Sequence, residues 1–267
     1  VPVAYSNRMT FSRRLVAFGV FAWAAARRAA SLQADLVFAT STPLTIALPG
    51  VYAARKRNVP MVLEVRDLWP AVPIAIGALR DPLSRWLARL LERFAYRNAA
   101  RIVALSRDMK QGVVDAGYPA KRVTVIPNGC DLELFDVGRQ PGAALRQCFG
   151  WLGNRPMVLY MGALGMINGV EYLVQLAARV YEVDPEIRFV VVGTGREEGK
   201  VRELACRLGV LDVNFFMIGP VPKRDTPGWV AAADLATSLV IDVPATWSNS
   251  ANKFFDTLAA RKPIAIN

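Results

Sequence analysis

Three loops in the second half of the chain combine residue types that suit a ligand carrying phosphate. The first contains Gly162 and Gly165, followed by Asn168 ahead of a predicted helix. Glycine lets a backbone approach a phosphate closely, and a helix N-terminus adds amide donors and a favourable dipole. Glycines are also common in such loops for turn geometry alone, so this loop does not decide between the two roles.

The second loop contains Gly193, Gly195 and Arg196, after an apolar run rich in valine. Arg196 lies at the start of a predicted helix, where a cation opposes the helix dipole. A bound anion would offset that cost. The two glutamates that follow Arg196 would compensate its charge equally well, so both interpretations stay open.

The third loop contains Asn252 and Lys253, with Asp256 close behind in a predicted helix. A carboxylate can accept two hydrogen bonds from a vicinal diol such as a ribose, while backbone amides and a lysine can hold a diphosphate. The alternative is a capped helix whose aspartate lies favourably near the N-terminus.

In the first half, charged residues follow an apolar strand and lead into a loop. They are Glu64, Arg66 and Asp67, with Trp69 just beyond. Charges alternating out of an apolar strand are unusual for a plain core element. An Arg–Asp pair could be structural, but the pattern favours a role in a cleft.

The composition excludes several kinds of site. The chain has 267 residues, a net charge of +11 and no histidine. Ser-His-Asp and Cys-His nucleophile systems and imidazole metal sites are therefore excluded. The three widely spaced cysteines form no ligand pair or disulfide framework, which fits a reducing compartment. The positive charge predicts an anionic partner: nucleotide phosphates, a lipid surface or nucleic acid.

Short apolar runs alternate with amphipathic stretches, which is typical of parallel sheets covered by helices. The periodicity lapses between Cys130 and Pro156. We therefore predict two α/β domains, residues 1–135 and 156–267, joined by a linker over 136–155. Ser106 is predicted to cap a helix, and a Pro-rich loop is expected after Trp69. Strands are predicted at residues 36–39, 61–65, 101–105, 123–126, 157–161, 188–192, 213–217, 235–240 and from 264.

Residues 15–26 form an apolar stretch with two arginines on each side. The stretch is shorter than the about 20 apolar residues that a spanning helix needs. One hypothesis is an amphipathic helix lying on an anionic surface, and the other is an ordinary core helix with solvated arginines. The apolar anchors of the first would be Phe18, Phe21 and Trp23.

Taken together, these segments resemble retaining glycosyltransferases of the GT-B type, in glycosyltransferase family four. The subgroup they are most similar to makes bacterial O-antigen, capsule and exopolysaccharide. The resemblance runs over essentially the whole chain, and the order of the motifs is more specific than any one of them. The segments that carry it are Thr40–Thr45, Glu64–Pro70, Val125–Asp131, Tyr160–Gly162, Val191–Gly195, Asn252–Asp256 and Lys262-Pro263.

The resemblance implies two Rossmann-like domains with parallel sheets facing a cleft, the acceptor in the N-terminal domain and a nucleotide-sugar donor in the C-terminal one. Asp256 matches the second acid of the family's paired-acid motif and would bind the donor ribose. Asn252 and Lys253 lie where the family's backbone amides meet the phosphates and the transferred sugar. Ile218 and Val221 lie in the stretch whose backbone would read the base.

The glycines of the first two loops would complete the donor site, with Arg196 as a further phosphate contact. Several positions depart from the family pattern. Ser248 stands at the first acid of the pair, and Leu164 and Asn168 replace the usual Arg and Lys diphosphate clamp. Arg261 replaces a glycine. The family's Gly-rich loop at the front and its last helices are absent, which predicts a chain truncated at both ends.

The implied activity is that of a retaining hexosyl or N-acetylhexosaminyl transferase without metal or cofactor. It would move a sugar, with UDP-sugar as the expected donor, to a saccharide on a polyprenyl diphosphate in cell-surface polysaccharide synthesis. Lys253 would stabilise the leaving diphosphate, and Arg66 and Asp67 would orient sugar or acceptor. The expected location is cytoplasmic, peripheral on the anionic inner face of the plasma membrane.

Two other functions stay open: a truncated or inactive relic that binds nucleotide or membrane, and a nucleotide-sugar 2-epimerase. The epimerase is less favoured because such chemistry commonly uses imidazole. Nucleic-acid binding is not expected, because the arginines are scattered through helices rather than gathered in a stripe with aromatics.

Overall fold

The computed structural model describes residues 1–4, 9, 11–41, 43–136, 138 and 140–267. Thr42 of the first motif lies outside the described residues, as do the side chains of Arg14 and Leu15. The chain forms two compact units. The first comprises Val1–Pro127 with Val243–Ser250, and the second comprises Asn128–Asp242 with Ala251–Asn267.

The first unit is a four-stranded parallel sheet with helices. Its strands, in sheet order, are β1 (Val37–Ser41), β2 (Met61–Val65), β3 (Arg101–Ala104) and β4 (Val123–Val125). Its helices are α1 (Phe11–Ser31), α2 (Ala47–Arg57), α3 (Ala71–Ala75), α4 (Pro82–Asn98) and α5 (Arg107–Asp115). Short 3-10 helices lie at Leu44–Ile46, Ala120–Arg122 and Pro244–Thr246.

Alternation along β2 produces the core of this unit. Met61, Leu63 and Val65 are buried on one face, where α2, α4 and α5 supply small and aromatic side chains. Ser106 caps α5 by accepting a hydrogen bond from the Met109 amide at 3.0 Å, as predicted. Its hydroxyl also donates to the Ser248 carbonyl at 3.0 Å, which helps to place residues 243–250 in this unit.

The second unit is a five-stranded parallel sheet in the order β7-β6-β5-β8-β9. The strands are β5 (Met157–Met161), β6 (Arg188–Val192), β7 (Phe215–Ile218), β8 (Leu235–Ser238) and β9 (Ile264–Ile266). The helices are α6 (Leu132–Phe135), α7 (Gln140–Gln147), α8 (Val170–Tyr181), α9 (Glu198–Arg207), α10 (Thr226–Ala232) and α11 (Asn252–Ala259). Short 3-10 helices lie at Met166–Asn168 and Lys223–Asp225.

The predicted α/β class with two parallel sheets is confirmed, and each predicted strand is present within two residues of its expected ends. The largest shift of a strand start is at β7, which begins at Phe215 rather than Val213. The carbonyl of Val210 accepts hydrogen bonds from the amides of Val213, Asn214 and Phe215, so these residues form a tight turn first. The stretch after Trp69 contains a short helix, α3, which was not predicted because its prolines indicated a loop.

The expected linker over residues 136–155 is instead part of the second unit. It contains α7, which packs against α10. The Arg146 guanidinium fixes it by donating to the carbonyls of Ala232 at 2.9 Å and Arg155 at 2.7 Å, and by an ion pair with Asp234 at 2.6 Å. Gly142, one of the residues in this stretch, serves close packing of α7 against α10, because a Cβ there would lie 2.5 Å from the Ala231 backbone.

Helix α1 packs against α2 and exposes a different set of side chains from the one predicted. Ala17 and Ala30 are buried, and Phe18 and Phe21 are partly buried, so these two aromatics are not outward anchors. Trp23 is 64% exposed, as the amphipathic hypothesis requires. Within the described part of the chain, no helix has the length and apolarity needed to cross a bilayer.

Replacing Gly142 of α7 by alanine should destabilise the protein. A Cβ at this position would lie 2.5 Å from the backbone carbonyl carbon of Ala231, so α7 and α10 would have to separate. We expect the free energy of unfolding in urea to fall by about 1–3 kcal/mol. Gly199→Ala in α9 is the matched control. Its Cβ would meet no atom within 4 Å, so it should raise stability by up to about 1 kcal/mol. Equal effects of the two changes would contradict the packing argument.

Candidate active site

The topology of the second unit marks one edge of its sheet for ligand binding. In open parallel sheets, ligands bind outside the carboxyl ends of the strands, where the strand order reverses. Strand β5 lies between β6 and β8, so the order reverses at its carboxyl end. Gly162 follows β5 directly, and the chain after β8 leads to α11.

The two glycine loops touch each other backbone to backbone at this edge. A Cβ on Gly193 would overlap the carbonyl oxygen of Gly162, and one on Gly195 would overlap that of Leu164. The loops are joined by hydrogen bonds from the Gly162 amide to the Val192 carbonyl and from the Leu164 amide to the Thr194 carbonyl, both at 3.0 Å. Gly162 and Gly193 also have φ of +149° and +146°, which favours glycine. Three of the predicted residues, Gly162, Gly193 and Gly195, thus lie in one closely packed surface, which we call the glycine floor.

Lys253 lies over this floor. Its Nζ is 4.1 Å from the centre of the Tyr160 ring and would be 3.3 Å from a Cβ on Gly162. Burial lowers the pKa of the Lys253 amine to about 8. Among the described residues no carboxylate forms an ion pair with it, so its charge is held by an aromatic face alone.

The first loop is held in place by Tyr160 and Asn168. The Tyr160 hydroxyl and the Asn168 side-chain amide both donate to the Ala163 carbonyl at 2.8 Å. Tyr160 is fully buried, which raises its pKa, so the hydroxyl stays a donor. The structure therefore shows Asn168 shaping the loop with its amide nitrogen.

Asp256 lies one turn into α11, beyond Asn252 and Lys253. The helix begins at Asn252 with no side-chain hydrogen bond from its N-cap residue, Ala251. Partial burial raises the pKa of the Asp256 carboxyl, and the charge of Lys223 opposes that shift. Lys223 is thus close enough to act on this carboxylate electrostatically. Asn252 itself is exposed.

Ile218 ends β7, and Val221 lies in the loop after it. Both are half-buried against a core cluster, and Ala259 at the end of α11 and Ala260 just after it pack against the same cluster. The Ile218 carbonyl accepts the Gly193 amide at 3.1 Å. The end of β7 therefore connects directly to the glycine floor.

Arg196 is exposed at the approach to α9. The two glutamates that could have compensated it are engaged elsewhere: Glu197 pairs with Lys200 at 2.5 Å, and Glu198 accepts from the Thr194 hydroxyl at 2.6 Å. In the residues that the structure covers, Arg196 has no ion-pair partner. The interpretation that the following glutamates compensate the charge of Arg196 therefore loses its support.

In the first unit, Arg66 and Asp67 follow β2 directly. Arg66 forms an ion pair with Glu64 at 3.8 Å, and its amide donates to the buried Ser41 hydroxyl at 3.1 Å. Glu64 also accepts from the Thr40 hydroxyl at 2.5 Å. These polar groups share the carboxyl ends of β1 and β2. The neighbours of Arg66 in the structure are thus Glu64 and Ser41.

Two family descriptions match the chain, one for each half. Residues 1–134 match Glycosyltransferase Family 4, and residues 155–266 match Glycosyl transferases group 1. The chain belongs to glycosyltransferase family 4. The predicted resemblance is thereby confirmed, and the fold is that of the GT-B glycosyltransferases.

Individual relatives agree with this assignment. WcaI of Escherichia coli K12, assigned as a colanic acid biosynthesis glycosyl transferase, is 28% identical over 65% of this chain and 44% of its own. The D-inositol 3-phosphate glycosyltransferase of Xylanimonas cellulosilytica is 30% identical over 79% of this chain and 49% of its own. The chain thus spans about half the length of these relatives. The structure of Anabaena HepE in complex with UDP-glucose superposes with a TM-score of 0.73 at 20% identity, covering 92% of this chain and 62% of that one.

Two residues of the candidate site were not identified from the sequence. Tyr160 belongs to an apolar strand, and no pattern shows that a lysine almost a hundred residues later lies over its ring. Lys223 is an exposed cation that begins a short 3-10 helix, and its effect on Asp256 arises only from the fold. A cluster of three or more metal-ligating residues is not found among the described residues.

Lys253→Met should stabilise the folded protein near neutral pH. The pKa of Lys253 is lower in the folded state than in the unfolded chain, so keeping the amine protonated costs stability below pH 8. That cost fades as pH rises from about 8 towards 10.5, because the folded state then loses its proton first. We expect a gain on the order of 1–2 kcal/mol in urea unfolding at pH 7, after allowing for the lost cation–π contact. A gain that does not shrink at pH 10 would contradict the assignment.

Proposed function

We propose that this chain transfers a sugar from a nucleotide-sugar, with retention, to a lipid-linked saccharide during cell-surface polysaccharide synthesis. The observation that carries the proposal is the placement of Lys253. Its buried amine, lacking a carboxylate in the described structure, lies over the glycine floor at the reversal of strand order. A diphosphate bound there would supply the missing negative charge.

The proposed donor site combines three kinds of contact. Lys253, Arg196 and the amides of the glycine floor would neutralise the diphosphate. Gly162 and Gly165 would belong to the loop that faces it, and Gly193 and Gly195 would hold the second loop against the first. Asp256 would accept the ribose hydroxyls, one turn along α11 from Lys253. Ile218 and Val221 would contact the base, because they lie at the end of β7 and in the loop after it, beside the glycine floor. Asn252 would present its backbone amide at the start of α11.

In the proposed reaction, the bond between the anomeric carbon and the diphosphate oxygen breaks while the acceptor oxygen bonds to the same carbon. The acceptor proton passes to the leaving diphosphate oxygen, so no metal or further cofactor is proposed. The protein contributes by electrostatic stabilisation of the leaving group. Arg66 and Asp67 are proposed to orient sugar or acceptor from the first unit.

UDP is proposed as the nucleotide, and a hexosyl or N-acetylhexosaminyl group as the sugar. The complex of HepE with UDP-glucose supports this choice. The acceptor is proposed to be a saccharide on a polyprenyl diphosphate at the inner face of the plasma membrane, in keeping with the colanic acid assignment of WcaI. Exposed Trp23 on α1 supports a peripheral membrane location.

A nucleotide-binding protein without transferase activity is the second candidate. It is favoured by Ser248 at the position of the family's first acid, because this residue brings no carboxylate to the site. Detection of UDP binding without sugar transfer from any UDP-sugar would select this candidate.

Calorimetric titration should detect UDP binding that depends on Asp256. Asp256→Asn keeps the shape of the side chain but removes its charge, and we expect the affinity to fall about 10–100-fold. Asp212→Asn is the matched control, because Asp212 is exposed in the turn before β7, at the opposite edge of the sheet. GDP tests base selectivity. Equal loss in the two variants, or no UDP binding to the unchanged protein, would count against the donor site.

UDP binding should weaken as pH rises through about 8. The Lys253 amine carries its charge below its pKa of about 8, and a bound diphosphate favours the charged form. Binding at pH 8 should therefore take up a proton, seen as a heat that varies with the ionisation enthalpy of the buffer. Lys253→Arg should bind without proton uptake, and Lys253→Met should bind about 10–100-fold more weakly at pH 7. An unaltered proton uptake in either variant would assign it to another group.

A further inference from the structure

The segment of residues 243–250 presents an exposed tryptophan on a closely bonded turn. The Trp247 side chain is 62% exposed. The residue before it, Thr246, is buried, and its amide and hydroxyl both donate to the Val243 carbonyl at 2.8 Å. The Asn249 amide donates to the Thr246 carbonyl at 3.0 Å. The fold thus fixes the backbone of this turn but leaves its largest side chain in solvent.

No neighbouring group accounts for the position of the Trp247 indole. Among the described residues, it takes part in no side-chain hydrogen bond, ring contact or cation–π contact. The other exposed tryptophans, Trp23 and Trp86, lie within helices α1 and α4. An exposed indole on a fixed turn combines an apolar face with a polar N–H group, which is typical of a recognition surface.

The first unit holds this segment at the carboxyl edge of its sheet. The Ser106 hydroxyl, two residues beyond β3, donates to the Ser248 carbonyl at 3.0 Å. Helix α3 packs against the 3-10 helix Pro244–Thr246, which ends just before Trp247. Contacts on both sides of the tryptophan therefore place it near the loops that follow the strands of this sheet.

Arg66 and Asp67 belong to the same edge, because they follow β2 directly. The Trp69 amide donates to the Asp67 carbonyl at 3.0 Å, so the chain turns sharply there before it enters α3. These two charged residues thus lead straight into the helix that packs beside Trp247. The structure brings together three residues that are far apart in the sequence.

The residues around Trp247 are polar but uncharged. Ser248, Asn249 and Ser250 are half-buried and carry hydroxyl and amide groups. No Lys, Arg, Asp or Glu occurs in the sequence between Asp242 and Lys253. A membrane anchor or a nucleic-acid site would place basic side chains beside the aromatic ring. A second copy of the chain would require a larger apolar area than one indole supplies. The composition of the segment therefore favours a neutral ligand rich in hydroxyl groups.

We propose that Trp247 is a specificity-determining residue whose indole stacks on one face of a pyranose ring in the acceptor saccharide. The face of an aromatic ring is negatively polarised. One face of a pyranose such as a β-glucoside or β-galactoside presents several C–H groups, which are positively polarised, while its hydroxyls point outward. The two faces are therefore complementary, and the hydroxyls stay available for hydrogen bonds. The identity of this sugar as acceptor rests on the proposed function, whereas the stacking contact itself does not.

Fluorine NMR of the 267-residue chain labelled with 5-fluorotryptophan tests the contact directly. The chain contains six tryptophans, and the signals missing from Trp247→Phe and Trp86→Phe identify these two residues. The probes are the methyl β-glycosides of glucose, galactose and N-acetylglucosamine, each titrated alone. Sorbitol is the control ligand, because it carries hydroxyl groups like those of glucose but has no ring face. Trp86 is the control residue, because it is 59% exposed in the same unit.

We expect the Trp247 signal to shift saturably with at least one of the glycosides, while Trp86 and the sorbitol titration show no response. Saturation-transfer NMR should show that Trp247→Ala binds this glycoside about 3–10-fold more weakly, because the stacking contact is lost. Trp247→Phe keeps an aromatic face and should retain more of the affinity than Trp247→Ala. Trp86→Ala should bind like the unchanged protein.

Several results would overturn the proposal. One is the absence of a shift at Trp247 with all three glycosides, and another is a shift confined to a different tryptophan. An equal response to sorbitol would show that the indole does not recognise a ring face. Equal losses in Trp247→Ala and Trp86→Ala would show a general effect of removing exposed indoles.

UDP titration of Trp247→Ala separates this proposal from the proposed function. The variant should bind UDP like the unchanged protein, because Trp247 belongs to the first unit and the donor-site residues belong to the second. UDP binding without a response of Trp247 to any glycoside would reject the stacking contact and retain the donor site. A response of Trp247 without UDP binding would retain the stacking contact and reject the donor site.

Discussion

The contact between the loops after β5 and β6 is the constraint on which the candidate site depends. The carbonyl of Gly162 occupies the space where a Cβ of residue 193 would be, and Leu164 does the same at residue 195. The backbones that follow β5 and β6 are therefore in direct contact. The end of β7 is connected to them because the Ile218 carbonyl accepts a hydrogen bond from the Gly193 amide. A side chain at residue 162 would crowd Lys253, because its Cβ would lie 3.3 Å from the Nζ atom. A single pair of glycines thus connects the sheet, the loops and the cation.

Much of this arrangement was predictable from the sequence, because it rests on local patterns. Apolar runs located the nine strands, and the parallel class placed Gly162, Gly193 and Lys253 at one edge of the second sheet. The remainder depends on contacts between distant residues. The linker expected over 136–155 became α7 because Arg146 reaches Asp234, a partner that spacing does not reveal. The ring of Tyr160 beneath Lys253 and the effect of Lys223 on Asp256 were hidden for the same reason.

The exposed anchors of α1 show how a correct pattern can select the wrong residues. Phe18 and Phe21 are large apolar side chains, yet they are partly buried, and the smaller Val16 and Val20 are exposed. Size and hydrophobicity indicate that a helix has an apolar side, but the neighbouring helix decides which side is covered.

Charge is divided unevenly along the chain. Helices α1, α2 and α4 of the first unit carry a net +10, which leaves a net +1 for all the other residues together. The residues outside these three helices therefore add almost no net charge that could attract anions to the glycine floor. Attraction of anions to the glycine floor depends on a few groups at short range. The main one is the Lys253 amine, whose pKa is lowered by burial.

That amine has a chemical consequence of its own. With a pKa of about 8, roughly a tenth of Lys253 is uncharged at pH 7, whereas an exposed lysine is almost wholly protonated. An unprotonated amine is a nucleophile, and it condenses with aldehydes to form imines. A small aldehyde that carries a phosphate, such as pyridoxal phosphate, would be drawn to this lysine by its anion and trapped there by borohydride. The burial that lowers the pKa of Lys253 thus also makes this lysine a suitable site for covalent labelling.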